Sequence, residues 1–304
     1  MRAPRIGIRR IITGLAALAL LSRADPAAAA EVATFTFYHH AGLQTGSLYI
    51  VPAGELVASL GVEYLPDVTN ELAGVRGRLL RIPTVGLRLG LSNNAEFQVS
   101  WPAYNRLKVI SQQDPPPLGV RLAGTTSDFG DVTAATILQL FTDNGRWPDF
   151  GLKFAARLPN SNEKKGIGDN TTDVFASFLA SRSLGDRVAL STDLGLGILS
   201  ARTATFIQND VFTYGLMSEW RVSRSVQVIG EVTGREATHV TGPSTGSRSE
   251  LRAGLEMHRG GVHWSALMVH GLTDLDSQGV GVSLNVSTGL TLLKRASVGA
   301  ASTE

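Results

Sequence analysis

The chain has 304 residues, with 28 Lys plus Arg, 26 Asp plus Glu and no Cys. The missing Cys excludes disulfides and thiolate metal sites. The basic balance is local: residues 1–30 hold five Arg and one Asp, leaving 23 basic against 25 acidic residues, a net of −2. Nucleic-acid binding needs clustered Lys/Arg to neutralise phosphates, so no nucleic-acid partner is expected.

Arg2, Arg5, Arg9 and Arg10 make a basic start, Ile11 to Leu21 a short apolar run, and Ala28-Ala29-Ala30 a small-residue site before Glu31. That order predicts a secretory signal peptide over 1–30. The apolar run is short for a spanning helix, and no later stretch approaches the roughly 20 apolar residues one needs. Residues 31–54 are expected to form a periplasmic segment or partial plug. His39-His40 lies in them and reads as an unbound pair, not a metal site.

From Glu55 onward the dominant signal is period two, the strand period. Phe150, Leu152, Phe154, Ala156 and Leu158 share one face, opposite Asp149, Gly151, Lys153 and Arg157. Val188, Leu190, Leu194, Leu196 and Ile198 likewise oppose Arg187, Ser191, Asp193 and Gly195. Twelve segments follow this pattern: 55–65, 80–91, 95–109, 129–142, 148–158, 172–183, 187–199, 210–222, 225–238, 249–258, 262–272 and 278–293. Residues 294–304 are expected to be a tail.

The connections discriminate better than the strands. Long ones (66–79, 110–128, 159–171, 200–209, 239–248, 273–277) alternate with short ones carrying turn chemistry, such as Ser92-Asn93-Asn94, Leu184-Gly185-Asp186 and Arg259-Gly260-Gly261. A soluble sandwich has no reason to sort loops by length, whereas outer-membrane barrels keep short turns in the periplasm and long loops outside. Hydrocarbon offers backbone groups no hydrogen-bond partner, so a sheet in a bilayer must close. The predicted fold is therefore all-β: a transmembrane, antiparallel, up-and-down β-barrel of about twelve strands over 55–293. It would lie in a Gram-negative outer membrane, with lipid around it and the barrel-assembly machinery as a partner. Trp147, Trp220 and Trp264 fall near short turns, and Tyr64, Phe212 and Tyr214 near long loops, as interfacial girdles require.

Particular motifs carry a resemblance. Asp128-Phe129-Gly130-Asp131 opens a strand, followed by Pro148-Asp149-Phe150-Gly151-Leu152-Lys153, Leu158-Pro159-Asn160, Gly166-Ile167-Gly168, Asp173 and Leu194-Gly195-Leu196-Gly197. This run resembles the outer-membrane transporter-like family named for the phenol meta-degradation pathway. The resemblance implies a porin-like barrel tied to uptake of small molecules, and it transfers no binding residue.

Charge facing lipid would cost about 2–4 kcal/mol per Arg or Lys at the midplane, so the alternation must turn strand charges inward. Lys153, Asp193, Glu231 and Arg252, with Glu256 slightly lower, are the candidate constriction at mid-height. Arg88, Glu96 and Glu219 would lie nearer the periplasm, and Glu63, Asp131, Arg157, Asp173 and Arg235 nearer the outside. The expected function is passage of small solutes, aromatic or hydrophobic ones included. The alternative is a structural or surface-interaction barrel with a filled lumen and working loops, the Pro115-Pro116-Pro117 loop foremost. An outer-membrane phospholipase is a remote third reading, resting on His263-Trp264-Ser265 as a base and nucleophile on one strand. Against it, Trp264, Ala266 and Met268 claim the lipid face, and no third residue in the sequence visibly orients the His. The Gly166-Ile167-Gly168-Asp169 stretch reads as a flexible external loop. No enzyme activity, cofactor or metal is expected.

Overall fold

The computed structural model describes residues 42–143, 147–201, 207–240, 242–273 and 279–292. The expected signal peptide, His39-His40 and the tail at 294–304 lie outside these residues.

The strands are β1 (Glu55–Asn70), β2 (Val75–Ser92), β3 (Ala95–Pro102), β4 (Asn105–Gln112), β5 (Thr125–Asp128), β6 (Val132–Phe141), β7 (Asp149–Leu158), β8 (Asp173–Leu184), β9 (Val188–Ala201), β10 (Ile207–Arg221), β11 (Val226–Ala237), β12 (Arg248–Arg259), β13 (Val262–Gly271) and β14 (Gly281–Thr291). All neighbours pair antiparallel, and β1 pairs with both β14 and β2, which closes the sheet. β3 and β4 both pair with β2, one after the other, and pair in turn with β6 and β5. Each of these two couples is thus one wall strand with a break, and the barrel has twelve. Around the breaks the ladder is carried by Ala103 N–H donating to Pro83 O (2.9 Å), Gly130 N–H to Pro102 O (2.9 Å) and Trp101 Nε1–H to Gly130 O (3.1 Å).

The register puts the expected faces outside and inside. Leu87, Phe97, Phe154, Phe178, Leu194, Leu196, Leu216, Leu255, Met268 and Leu284 point outward and are exposed. Glu63, Arg88, Glu96, Asp193, Glu231, Arg252 and Glu256 point inward and are buried. Trp147, Trp220 and Trp264 are exposed near the short-turn end, and Tyr64 and Phe212 near the other. Among the described residues no helix is long and apolar enough to cross a membrane; the wall itself is the apolar surface.

Three expectations are corrected. The first long connection is not a loop: β1 and β2 stay paired to Asn70↔Val75, leaving only 71–74 as a turn. Polar residues there misled the pattern: on a hairpin rising above the membrane the outer face meets water, so Arg76 and Arg78 are exposed while Val75 and Leu79 turn inward. Part of 110–128 is likewise strand, since β4 runs to Gln112 and β5 starts at Thr125. And the 159–172 connection is not a free external loop. It folds over the mouth: Asp131 accepts from Asn160 N–H (3.1 Å) and Ser161 N–H (2.9 Å), and Thr126 Oγ1–H donates to Lys165 O (2.8 Å). Ile167 packs against the cluster of Leu65, Ala73, Val75, Leu79, Leu107 and Val269, a small core built inside the outer rim.

Candidate functional site: a lumen divided in two

Residues 42–54 enter the barrel rather than leaving it. The chain departs from the rim at Gly54, whose N–H donates to Gly90 O (2.9 Å). Gly90 is required there, since a Cβ on it would stand 2.0 Å from Pro52 O. The segment then climbs the lumen and spends its backbone on inward side chains. Val51 N–H donates to Glu96 (2.7 Å), Leu48 N–H to Ser181 Oγ (3.1 Å), Gly46 N–H to Asp193 (3.0 Å), and Gln44 N–H (2.9 Å) and Thr45 N–H to Glu231. In the other direction Arg88 donates to Tyr49 O (3.0 Å), Lys153 Nζ to Gln44 O (3.3 Å) and Arg252 to Gly42 O. Gly46 is another close approach: a Cβ there would meet Leu179 at 2.7 Å and Asp193 at 3.0 Å.

Apolar anchors add to this. Leu43 packs with Met217, Ile229 and Leu267, and Leu48 with Ile137 and Leu179. These are large apolar side chains turned inward, against the polar-inside rule; the segment is what covers them.

The five predicted constriction residues can now be placed. Lys153, Asp193, Glu231 and Arg252 all face the lumen and all touch the segment. Lys153 Nζ also pairs with Asp193 (3.0 Å), and Arg252 with Glu250 (2.6 Å) and Glu63 (3.1 Å). Glu256 sits lower, taking hydrogen bonds from Gln227 Nε2 (3.4 Å) and sharing one with His263 Nδ1 (2.9 Å). That last contact corrects the expectation that nothing orients the His. Glu256 does, while Ser265 Oγ accepts from Asn285 Nδ2 (3.2 Å). All three groups face the lumen, where no lipid runs.

Open volume lies above the segment and, along β1, β2, β3 and β14, beside it as far down as Val57, Arg88, Gln98 and Ser287. A cavity of about 690 Å³ is lined by Leu43, Gln44 and Thr45 below and by strand residues around it. Its basic lining is Arg81, Arg88, Lys153, Arg157, Arg235, Arg248 and Arg252; its acidic lining is Glu63, Asp131, Asp193 and Glu250. A second cavity of about 300 Å³ lies under the 166–169 loop and shares Gln44, Arg81, Arg157, Arg248 and Arg252 with the first. Sequence reasoning missed Arg81, Arg248, Ser181 and the paired role of Glu250. Arg248 lies in 239–248, read as a loop, so no inward register was assigned to it; Arg81 lies in the strand segment 80–91 but was not singled out as a lumen residue.

A closed twelve-strand wall, apolar outside and charged inside, defines an outer-membrane β-barrel of the porin-like class. The chain belongs to the family described as "Putative MetA-pathway of phenol degradation", whose model matches residues 41–272. No curated protein matches it. Among solved structures it is similar to an outer-membrane channel from Pseudomonas putida F1, with 12% identity, TM-score 0.59, and coverage of 82% of this chain and 100% of the other. Looser likenesses include the NanC porin (8% identity, TM-score 0.47, 78% and 100% covered) and the translocator domain of the autotransporter NalP from Neisseria meningitidis (12%, 0.45, 77% and 87%).

Proposed function

We propose that the protein is a small-solute channel whose periplasmic half is closed by its own residues 42–51, and that Lys153, Asp193, Glu231 and Arg252 form the constriction by holding that segment. The observation that carries this is the seating of that segment in the lumen. A cavity of about 690 Å³ runs above and beside it, and the segment, continuous with β1 at Glu55, is held against the rest of the wall by hydrogen bonds and apolar packing. The wall charges pair with one another, as Arg88 with Glu96 (2.6 Å) and Lys153 with Asp193 (3.0 Å). The same buried carboxylates also accept from backbone amides of a segment that is not part of the wall.

Hydrogen bonds to charged groups are worth about 1.5–3 kcal/mol each, so several together keep the segment docked at rest. Conductance of the intact protein is then small, and removal of the segment enlarges it. The test is planar-bilayer recording on folded, detergent-purified protein, intact and with 42–51 deleted. Larger discrete steps on deletion, altered by Asp193→Ala, are expected. Silence of both proteins, with heat-modifiable gel mobility intact, rejects a pore.

One feature favours the filled-barrel alternative. The mouth loops are tied together through Ser244, which donates its N–H to Glu71 (3.0 Å) and its hydroxyl to Asp169 (2.8 Å). That reading predicts no current in any variant.

A further inference from the structure

We infer that the outward face of β2 and β4 at the outer rim, carrying Arg78, Arg106 and Lys108, docks phosphorylated lipid headgroups of the surrounding outer leaflet. The inference goes beyond the channel reading and does not depend on it.

The register assembles this face in rows. Arg106 on β4 stands opposite Leu80 on β2 and Ser127 on β5, and Leu80 stands opposite Tyr64 on β1. Arg106 is thus in the row of Tyr64, an exposed aromatic of the outer girdle, and girdle rings sit at headgroup level. One row further out, Arg78 stands directly opposite Lys108, which in turn faces Thr125. Two residues of strand rise about 6–7 Å, so this second row lies among the headgroups rather than the acyl chains. All three cations are exposed, as are Ser127 and Thr125 beside them.

Like charges directly opposite each other across a strand pair repel. A face made only for water relieves that by mixing the two signs. Here no carboxylate pairs with Arg78, Arg106 or Lys108 among the described residues; Asp67 is held by Arg76, and Asp114 by Arg121 (2.8 Å). The far wall provides the contrast. β10 and β11 lie across the barrel. There Glu236 stands opposite the outward Phe212, and Asp210 is exposed one row further out. The outer rim is therefore cationic on one side and anionic on the other, and an anionic surface is complementary to the first side alone.

A lipid suits the face better than a free anion. Below the cations the wall is apolar and exposed, with Tyr64, Leu87 and Phe97 outward. A lipid seated there lays its acyl chains on that wall while its phosphates accept from the guanidinium forks. A free anion gains only contacts to exposed side chains, which salt screens.

The experiment is native mass spectrometry of the folded protein in detergent, titrated with diphosphoryl lipid A, monophosphoryl lipid A or phosphatidylcholine. Diphosphoryl lipid A is expected to bind saturably and more than about tenfold tighter than phosphatidylcholine, with the monophosphoryl form in between. The triple variant Arg78→Gln, Arg106→Gln, Lys108→Gln should lose more than about tenfold in lipid A affinity. Arg224→Gln, in an exposed turn at the opposite end, should lose nothing. The substituted side chains are exposed, and heat-modifiable gel mobility checks that each variant folds; if the triple variant does not, Lys108→Gln alone is read and should still weaken binding. Inorganic phosphate at millimolar concentration should leave the bound lipid in place. Equal affinity for phosphatidylcholine, unchanged lipid A binding in the folded variants, an equal loss with Arg224→Gln, or displacement by inorganic phosphate overturns the proposal.

Discussion

The two halves of this lumen use the same inward-facing strand positions for opposite ends. Toward the periplasm, Glu96, Ser181, Asp193 and Glu231 each accept from a backbone amide of residues 44–51, and Leu43 and Leu48 plug apolar recesses. Toward the outside, Arg81, Arg157 and Arg248 pair with Glu63, Asp173 and Glu71 around open volume. The inner half is satisfied by the segment. The outer half is satisfied by pairs between wall and rim residues and leaves volume open. Charge alone does not distinguish them; what does is whether a chain segment is present to take up the hydrogen bonds.

The largest break in that comparison is deletion of 42–51. It should turn the inner half into a second open half, giving conductance steps several-fold above those of the intact protein in bilayer recordings. Next comes the wall. Leu194→Arg places a cation on the lipid face beside the inward Asp193, and should cost about 2–4 kcal/mol of folding stability, read as a lower urea midpoint in vesicles. An inward cation at the adjacent register should be tolerated far better. A comparable loss falls on the inner half with Glu231→Ala, which leaves the amides of Gln44 and Thr45 without their acceptor. About 1–3 kcal/mol per unsatisfied group should loosen the segment, seen as faster proteolysis at residues 42–51 with the barrel intact. Leu43→Ala removes one apolar anchor. Core truncations of this kind cost about 2–5 kcal/mol, but the partly opened site can relax, so the effect belongs at the low end and should appear as more frequent brief openings. The smallest effect expected is in selectivity. With seven basic against four acidic side chains around the large cavity, a KCl gradient should give a reversal potential of modest anion preference, reduced by Arg248→Gln. A cation preference would contradict the contrast between the halves.

The barrel itself was legible from the chain. Alternation in 149–158 and 187–199 located strands because the two faces meet different solvents, hydrocarbon and water, and each residue must suit one. Loop lengths gave the end-to-end polarity. The pattern failed at 66–79, where the outer face of the β1–β2 hairpin meets water rather than lipid, so Arg76 and Arg78 stand where a wall strand carries apolar residues. Of the candidate site, Lys153, Asp193, Glu231 and Arg252 were legible as inward charges, and a partial plug was one of two expectations for 31–54, while the amides those charges hold were not legible. A backbone amide of Thr45 or Gly46 has no signature in a one-letter code.

What the sequence determined by itself, then, is the wall: strand period, turn chemistry, the inward direction of mid-height charges such as Lys153, Asp193, Glu231 and Arg252, and so the closed barrel. What only the tertiary structure decided is what those charges face. Arg81, Arg157 and Arg248 are far apart along the chain and converge only when β2, β7 and β12 close around one axis. Met217, Ile229 and Leu267 read as misplaced apolar residues until Leu43 is set among them. The reason is physical. Alternation records a residue's solvent, which is local, whereas hydrogen-bond partners across a lumen are fixed by closure, which is not.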